Sequence, residues 1–549
     1  MKVYQRLASA FKEEGVSATF GMMGDGNMYW LYELHKLGVK VHEVRHEGAG
    51  LGMADGYARI TRTPGVATAT CGPGVTQLAT ALVTAARAHS PLVAFCGEAP
   101  TTDDEYVQYL DQARFAAACE SGFVRLVSAD SADETVRKAF YLAKLENRPI
   151  MLSAPMDIQQ KEFEDDEKYQ PSSTIFTPGA VHPNAKVLEQ AVDIVAASKK
   201  PVIIVGRGAM WAGAGDAVLK LGDRIGALIA TTLLTKTFLN ECEYHAGISG
   251  TYGSRPSMKL MEEADCVIGV GASMNRYTTE HGYLYPNARY VQIDSQPHLM
   301  LSGGRAADCY VQSDARIGVE ELEKLLASRG AKSVGYRTPD VKAMLVGHNA
   351  DRTEFEIEPD TTDPREACRV LDEMLPPEMG LMSGSGMTSA FASMLMTRRR
   401  AWVQGGHFFG CIGQMLPAAM GAVVATGYKP SVLIDGDASV MMHLAEFETA
   451  VRYAMPLLVV VMNNEALGAE YYKLDAHQMD VKPSMITTPD LGGVGVAMGG
   501  RGCLARTIDE LRAGVAEFVA KPGPTIIDLR ISRSVPSVPY RRIHYGRDE

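Results

Sequence analysis

The chain has no apolar run near the roughly 20 residues that a membrane-crossing helix needs, which argues against a transmembrane protein. It has no excess of basic residues either. Against 65 Asp and Glu stand 54 Lys and Arg, a net charge of −11, so the electrostatic footprint of nucleic-acid binding is missing. The most basic run, Arg398-Arg399-Arg400, is read as a solvated helix end or a subunit contact. Nine cysteines, an odd number without any Cys-x-x-Cys pair, fit reduced thiols better than a disulfide framework. The start, Met1-Lys2-Val3-Tyr4-Gln5-Arg6, lacks the apolar core and cleavage site of a signal peptide. The expectation is a soluble cytoplasmic protein that binds neither nucleic acid nor membrane.

What is present is enough chain for several cores. A length of 549 residues, 46% hydrophobic and 22% charged, suits about three or four domains. Helical patterns alternate with short Val/Ile-rich runs, which predicts an α/β fold of mostly parallel sheets with helices on both faces. Strand candidates are Ala18-Thr19-Phe20, Lys40 to Val44, Gly65 to Thr70, Leu92 to Cys96, Pro201 to Val205, Cys266 to Val270 and Tyr290 to Asp294. Acidic, Pro-containing linkers at Glu162 to Ser173 and Glu354 to Pro364 divide the chain into three domains, 1–170, 180–345 and 362–549. The first and third could share an architecture.

The most informative stretch runs from Asp435 to Gly468. A strand from Ser431 exits in Asp435-Gly436-Asp437-Ala438-Ser439, and the apolar run Leu457 to Met462 exits in Asn463-Asn464. Ligands of open α/β sheets sit outside the carboxyl ends of strands. There a carboxylate and an amide oxygen side by side suit a hard cation that keeps a phosphate in its shell. Asn464 follows Asp437 by 27 residues. Gly-Asp followed at that distance by Asn-Asn resembles the thiamine diphosphate motif of the acetolactate synthase and pyruvate decarboxylase superfamily, with Ala438 where Gly is commoner. The resemblance implies a Mg²⁺ ion held by Asp437, Asn464 and the carbonyl of Ala466. Gly436, Ala438, Ser439 and Gly468 would lie against the cofactor.

Two further segments extend the resemblance. Arg45-His46-Glu47, Ala54-Asp55-Gly56-Tyr57-Ala58-Arg59 and Cys71-Gly72-Pro73-Gly74 are similar to the pyrimidine-binding domain of that superfamily, Cys71 replacing the usual Ser. Glu47 would favour the imino tautomer of the aminopyrimidine, which then forms the ylid, with Pro73 beside the cofactor. Taken alone, Glu47 could equally be a strand-end carboxylate paired with Arg45 or Arg59. Gly410-Cys411-Ile412-Gly413 before Leu416-Pro417-Ala418-Ala419 resembles the segment beneath the cofactor. It implies that Ile412 wedges pyrimidine against thiazolium and that the Gly410 carbonyl accepts from the pyrimidine amino group, although Ile in such a run is ordinarily core. The loop Gly384-Ser385-Gly386-Met387-Thr388 could cup the diphosphate through backbone donors, with Gly386, Met387 and Thr388 as contacts.

The reaction is written less clearly. Gly24-Asp25-Gly26-Asn27 resembles a segment of 2-oxo acid decarboxylases, and Glu470 stands where those enzymes place a second carboxylate, yet their paired histidines are absent. Val107-Gln108-Tyr109 instead resembles a synthase segment with a Gln near the cofactor, making Gln108 the counterpart. Arg276-Tyr277-Thr278 resembles benzoylformate decarboxylase with Thr278 in place of its His, His281 standing three positions on; His281 and His407 are weaker candidates for the pocket. Gly206-Arg207-Gly208 reads as a plain strand-helix turn, since Trp211 stands where a dinucleotide fingerprint needs Gly. Gly492 to Gly500 reads as part of a glycine-loosened helix. Some superfamily members bind FAD in the middle domain; Gly271-Ala272-Ser273 lacks the Arg many of them carry, which tilts against FAD.

The resemblance therefore implies a thiamine diphosphate and Mg²⁺ enzyme with Glu47, Gln108, Asp25 and Glu470 as catalytic candidates. It would form or cleave C–C bonds of 2-oxo acids or aldehydes through an enamine. Non-ligating decarboxylation is the alternative, and a non-catalytic cofactor-binding homologue the lesser one. Because the superfamily builds its site between two chains, it implies at least a homodimer and, more fully, a homotetramer.

Overall fold

The computed structural model describes all residues except 104, 165–166, 176–178, 297–304 and 547–549; Asp165 and Asp166 of the first acidic linker lie outside the described residues. Three six-stranded sheets follow one another along the chain, and every pairing between their named strands is parallel. The first contains β1 Ala18–Gly21, β2 Lys40–Glu43, β3 Gly65–Ala69, β4 Leu92–Glu98, β5 Gly122–Arg125 and β6 Pro149–Pro155, in the order β2-β1-β3-β4-β6-β5. The second contains β7 Pro201–Val205, β8 Leu228–Thr231, β9 His245–Ile248, β10 Cys266–Val270, β11 Arg289–Asp294 and β12 Cys309–Gln312, in the order β12-β11-β10-β7-β8-β9. The third contains β13 Gly380–Ser383, β14 Val403–Gly405, β15 Ser431–Gly436, β16 Leu457–Asn463, β17 Arg501–Ala505 and β18 Thr525–Arg530, in the order β14-β13-β15-β16-β18-β17. The first and third sheets thus have one topology, strand for strand.

Central strands such as β16 are buried throughout, as parallel strands covered on both faces must be. Successive residues of β16 face different cores: Val459 and Val461 one, Leu458, Val460 and Met462 the other. The core holding Val459 also contains Leu51, Met53, Leu416 and Val423, so one hydrophobic interior is shared by the first and third domains.

Two helices make that junction. Met415–Ala425 is apolar on every side, the composition of a fully buried helix, and Glu47–Thr61 lies against it with all of Gly48 to Gly56 buried. Their backbones meet at glycines. A Cβ on Gly56 would stand 1.9 Å from the Ala418 carbonyl oxygen, and one on Gly421 would stand 1.8 Å from that of Met53.

The run Arg398 to Arg400 departs from its reading as a solvated helix end. Arg398 and Arg399 are exposed as expected, but Arg400 is buried, pairs with Asp372 at 2.6 Å and donates to the Leu375 carbonyl. Asp372 in turn accepts from the Thr397 and Arg398 amides, so burial of this guanidinium ties one helix end to the next segment. Gly492 does sit in a helix, Leu491–Ala497, pressed against β17.

Adding a methyl group at the helix junction should destabilise the chain. Gly421→Ala and Gly56→Ala are each expected to lower unfolding free energy by about 1–3 kcal/mol, read as a lower thermal midpoint, whereas Gly179→Ala, with nothing within 4 Å, should leave it unchanged.

Candidate active site

Four loops of the third domain leave the carboxyl ends of the adjacent strands β14, β13, β15 and β16 and line one cavity of about 1670 Å³. Gly386, Met387 and Thr388 follow β13, Gly410 and Ile412 follow β14, Gly436, Asp437, Ala438 and Ser439 close β15, and Asn464, Ala466, Gly468 and Glu470 follow β16. All the third-domain residues singled out from the sequence are therefore brought together. Ile412 is half-buried at the cavity wall, not in the core.

Helices starting at Met387, Asp437 and Gly468 point their first turns at this cavity, and none has a side-chain cap. Free N–H groups and the helix dipole make such ends anion sites. The carboxyl end of β15 adds negative charge there. Asp435 is buried and accepts from the Gly436 amide at 2.8 Å and the Ser439 hydroxyl at 2.6 Å. A Cβ on Gly384 would stand 1.8 Å from its Oδ1, so only glycine lets the first loop cross here. Ser439 also accepts from the Gly413 amide at 2.8 Å, and Gly413 binds His443, which fixes the loop carrying Ile412.

Asp437 is buried too, and its Oδ2 has no partner. Burial pushes the Asp437 carboxyl up to about 7, with the charge of Asp528 adding to the effect and Arg530 opposing it. Burial pushes Asp435 up to about 7 as well, the Asp437 charge contributing. Asn463 donates to Asp528 at 2.8 Å and to Thr488 at 2.9 Å, which commits it to the sheet and leaves Asn464 at the cavity. Among the described residues no group of three His, Cys, Asp or Glu side chains suits a metal. An orphaned carboxylate oxygen beside an amide, a carbonyl and an anion site fits a magnesium diphosphate, whose own oxygens complete the shell.

The first-domain candidates stand elsewhere. Glu47, Asp25, Pro73 and Gln108 are not among the cavity's walls; they follow β2, β1, β3 and β4, the topological equivalents of the four strands that frame the cavity. Arg45 pairs with Glu448 and Arg59 with Asp55, so neither neutralises Glu47, whose Oε1 lies 3.1 Å from where a Cβ on Gly74 would be. The Cys71 thiol donates to Gln108 Oε1 at 3.0 Å. Burial pushes that thiol up, and Asp25 and Tyr106 are close enough to act on it, so Asp25, Cys71, Tyr106 and Gln108 form one polar cluster.

Other residues join the cavity from afar. His281 and His407 both line it; burial holds His407 down to about 4, and its Nε2 has no partner. Tyr540 and His544 arrive from the C-terminal segment and feel the charge of Glu470. Arg62 and Arg207 stack on Trp211, and Arg207 and Arg59 on Phe408, where the three domains meet. His281 and His407 are candidates from the sequence; apart from an aromatic-rich ending, no local pattern marks the others.

Three family descriptions match in order: thiamine pyrophosphate enzyme, N-terminal TPP binding domain, over residues 1–116; central domain, over 188–322; and C-terminal TPP binding domain, over 384–529. The chain belongs to the thiamine pyrophosphate enzyme superfamily. It is similar to the acetolactate synthase large subunit of Haemophilus influenzae, 25% identical across 96% of this chain and 94% of that protein. The acetolactate synthase large subunit of Parasynechococcus marenigrum is 28% identical across 97% and 88%, and a probable one from Methanocaldococcus jannaschii 26% across 98% and 94%. A thiamine diphosphate-dependent enzyme of acetolactate synthase type accounts for the anion site. Among the described residues no helix is long and apolar enough to cross a membrane.

Both buried carboxyls titrate higher in the fold, at about 7, than the roughly 4 of an unfolded chain. Their contribution is full below that lower value and is lost as pH rises through 7. The cofactor-free chain should lose thermal stability between about pH 5 and about pH 8, and Mg²⁺ with thiamine diphosphate should restore more at the higher pH. Asp437→Asn should flatten both trends in calorimetry; unchanged slopes would dissociate Asp437 from the metal.

Proposed function

We propose that the chain is a Mg²⁺-assisted carboligase that joins the carbon skeletons of small 2-oxo acids, as the names of its end-to-end relatives suggest. The observation that carries this reading is the orphaned Asp437 oxygen beneath three uncapped helix starts, in a chain aligned with acetolactate synthases over nearly its full length. Asp437, Asn464 and the Ala466 carbonyl would hold Mg²⁺, and the N–H groups around Met387, Asp437 and Gly468 the diphosphate. When bound, the thiazolium supplies the electron sink for breaking or making a bond at a carbonyl carbon.

The chain's own groups do the rest. Glu47 holds a proton at the pyrimidine ring nitrogen, and the Gly410 carbonyl orients the neighbouring amino group. Ile412 props the cofactor from beneath. Asp25, Gln108 and Glu470 place donors and acceptors around the reacting carbon, where a carboxylate takes or returns a proton. The reaction balances without electron transfer, so it calls for no flavin redox step, and the missing Arg after Gly271-Ala272 tilts against FAD.

The pyrimidine end must come from a second copy. In one chain the Glu47 cluster and the cavity are separate, and each is bordered by exposed apolar side chains: Met23, Val107 and Tyr109 beside the first, Phe409, Met441 and Met442 beside the second. Pairing the first domain of one copy with the third of another covers both and completes two sites, in a cytoplasmic homodimer or a homotetramer built from two of them.

Incubation with pyruvate, other 2-oxo acids and aldehydes should yield acetohydroxy acids or acyloins by mass spectrometry. Aldehyde and CO₂ alone would favour simple decarboxylation, which the carboxylates Asp25 and Glu470 could serve; no turnover at all would favour a non-catalytic homologue. Glu47→Gln should bind cofactor and lose activity at least about 100-fold. Mixing it with inactive Asp437→Ala, after subunit exchange, should restore about a quarter of wild-type activity, because half the dimers are mixed and each has one intact site. No restoration would place the whole site within one chain.

A further inference from the structure

Away from the catalytic cavity, several polar groups without full complements of partners lie on the walls of another cavity. A second cavity, of about 550 Å³, lies between the loop after β8 and the segment that follows the third-domain helix Met387–Leu395. Lys236, Lys342, Arg398 and Arg399 line it, with Glu241 and Glu243. Arg399 takes Glu241 at 3.3 Å and Lys342 takes Glu243 at 2.5 Å, so positive charge is in excess.

Three groups on these walls are incompletely bonded. Lys236 is 7% exposed, and its ammonium donates to one acceptor, the Ala392 carbonyl, at 2.5 Å, although an ammonium has three donors. His245 Nδ1 accepts from the Gly247 amide at 3.1 Å, which puts the proton on Nε2, and that N–H is buried and makes no well-formed hydrogen bond, the Phe238 carbonyl being close enough only to act on it weakly. Burial holds this imidazole down to about 4, so it stays a neutral donor. Asn240 donates to the Thr397 carbonyl at 2.6 Å while its Oδ1 is buried without a donor. Buried polar groups are satisfied by protein, water or ligand, and a pocket with convergent polar groups and a shifted titration is where ligands bind.

The three requirements describe one ligand. A carboxylate accepts from both Lys236 and His245, and a donor on the adjacent carbon serves Asn240. The surplus of cations opposes an ammonium there and admits a hydroxyl. We propose that this cavity is a second binding site for a small 2-hydroxy carboxylic acid, the chemical class of a carboligation product, and that its occupancy weakens the hold on the cofactor's diphosphate. The link to product and cofactor rests on the function proposed above.

The coupling runs along a single helix. Ala392 lies in the last turn of Met387–Leu395, about 8 Å along the axis from its start, and the start lines the catalytic cavity at Gly386, Met387 and Thr388. A cation stabilises the negative end of a helix as an anion does the positive end. Lys236 and the diphosphate therefore serve opposite ends of one dipole. A carboxylate that shares Lys236 draws it from the Ala392 carbonyl and loosens the far end, and the effect is reciprocal.

The test is equilibrium dialysis of radiolabelled lactate against the whole chain loaded with Mg²⁺ and thiamine diphosphate. One saturable lactate site per chain is expected, weakened at least about tenfold in Lys236→Met and in His245→Phe but unaltered in Glu470→Gln. Saturating lactate should raise the thiamine diphosphate Kd about threefold or more in the wild type and not in Lys236→Met. Should circular dichroism find Lys236→Met unfolded, His245→Phe and Asn240→Leu carry the test. No saturable binding, or binding that survives both substitutions, overturns the site; alanine or propionate held as tightly as lactate overturns the hydroxyl assignment, and an unchanged cofactor Kd overturns the coupling. Lactate binding is read without turnover, so failure here and failure of the carboligation assay are separate results.

Discussion

A carboxylate buried without a counter-charge is among the costliest groups a fold can hold. Asp437 occupies that position at the end of a central strand, with Asp435 two residues before it. The surroundings are arranged around this charge. Asp528 draws Asn463 into the sheet, Ser439 and Gly436 satisfy Asp435, and glycine at 384 lets the first loop pass within reach of Asp435. A divalent cation would neutralise what the protein leaves unbalanced, and a diphosphate would complete the cation's shell. The buried acid and the uncapped helix starts are two halves of one electrostatic requirement.

The two matching sheets extend this logic to the whole active site. Corresponding loops of the first and third domains carry, respectively, the residues proposed to handle protons and those proposed to hold the metal and diphosphate. Within one chain the two domains are fused back to back through Glu47–Thr61 and Met415–Ala425, with backbone so close at Gly56 and Gly421 that no other residue fits. That junction fixes the relative positions of the half-sites and keeps Glu47 off the cavity wall. The middle domain grips the last turn of Met387–Leu395 through Lys236 and the segment just after it through Asn240, which gives it a route to the cavity wall at the other end of that helix.

Much of the fold was legible because buried parallel strands are uninterrupted apolar runs. β7 and β10 begin and end where their Val and Ile runs do, and β16 is visible as a run ending in two amides. The edge strands β5, β9, β12, β14 and β17 were not, since they are short and polar residues interrupt them. At the site, residues adjacent to a strand end were legible: Asp437 and Asn464 each follow one directly. Trp211, Arg207 and Tyr540 were not, because what brings them to the cavity is domain packing. Arg400 misled for the same reason: three arginines in a row look solvated, and only Asp372, 28 positions earlier, buries one of them.

The sequence by itself determined the cofactor class, because a metal and a phosphate need particular oxygen donors at a spacing that one β-α-β unit imposes along the chain. It also determined the α/β class, because hydrophobic periodicity is local. Only the tertiary structure decided that Glu47 and Asp437 of one chain do not share a cavity, that Ser439 accepts from Gly413, and that Lys236 donates to the last turn of Met387–Leu395. Those are contacts between residues far apart in sequence, created by the packing of whole domains, and no stretch of the chain encodes them alone.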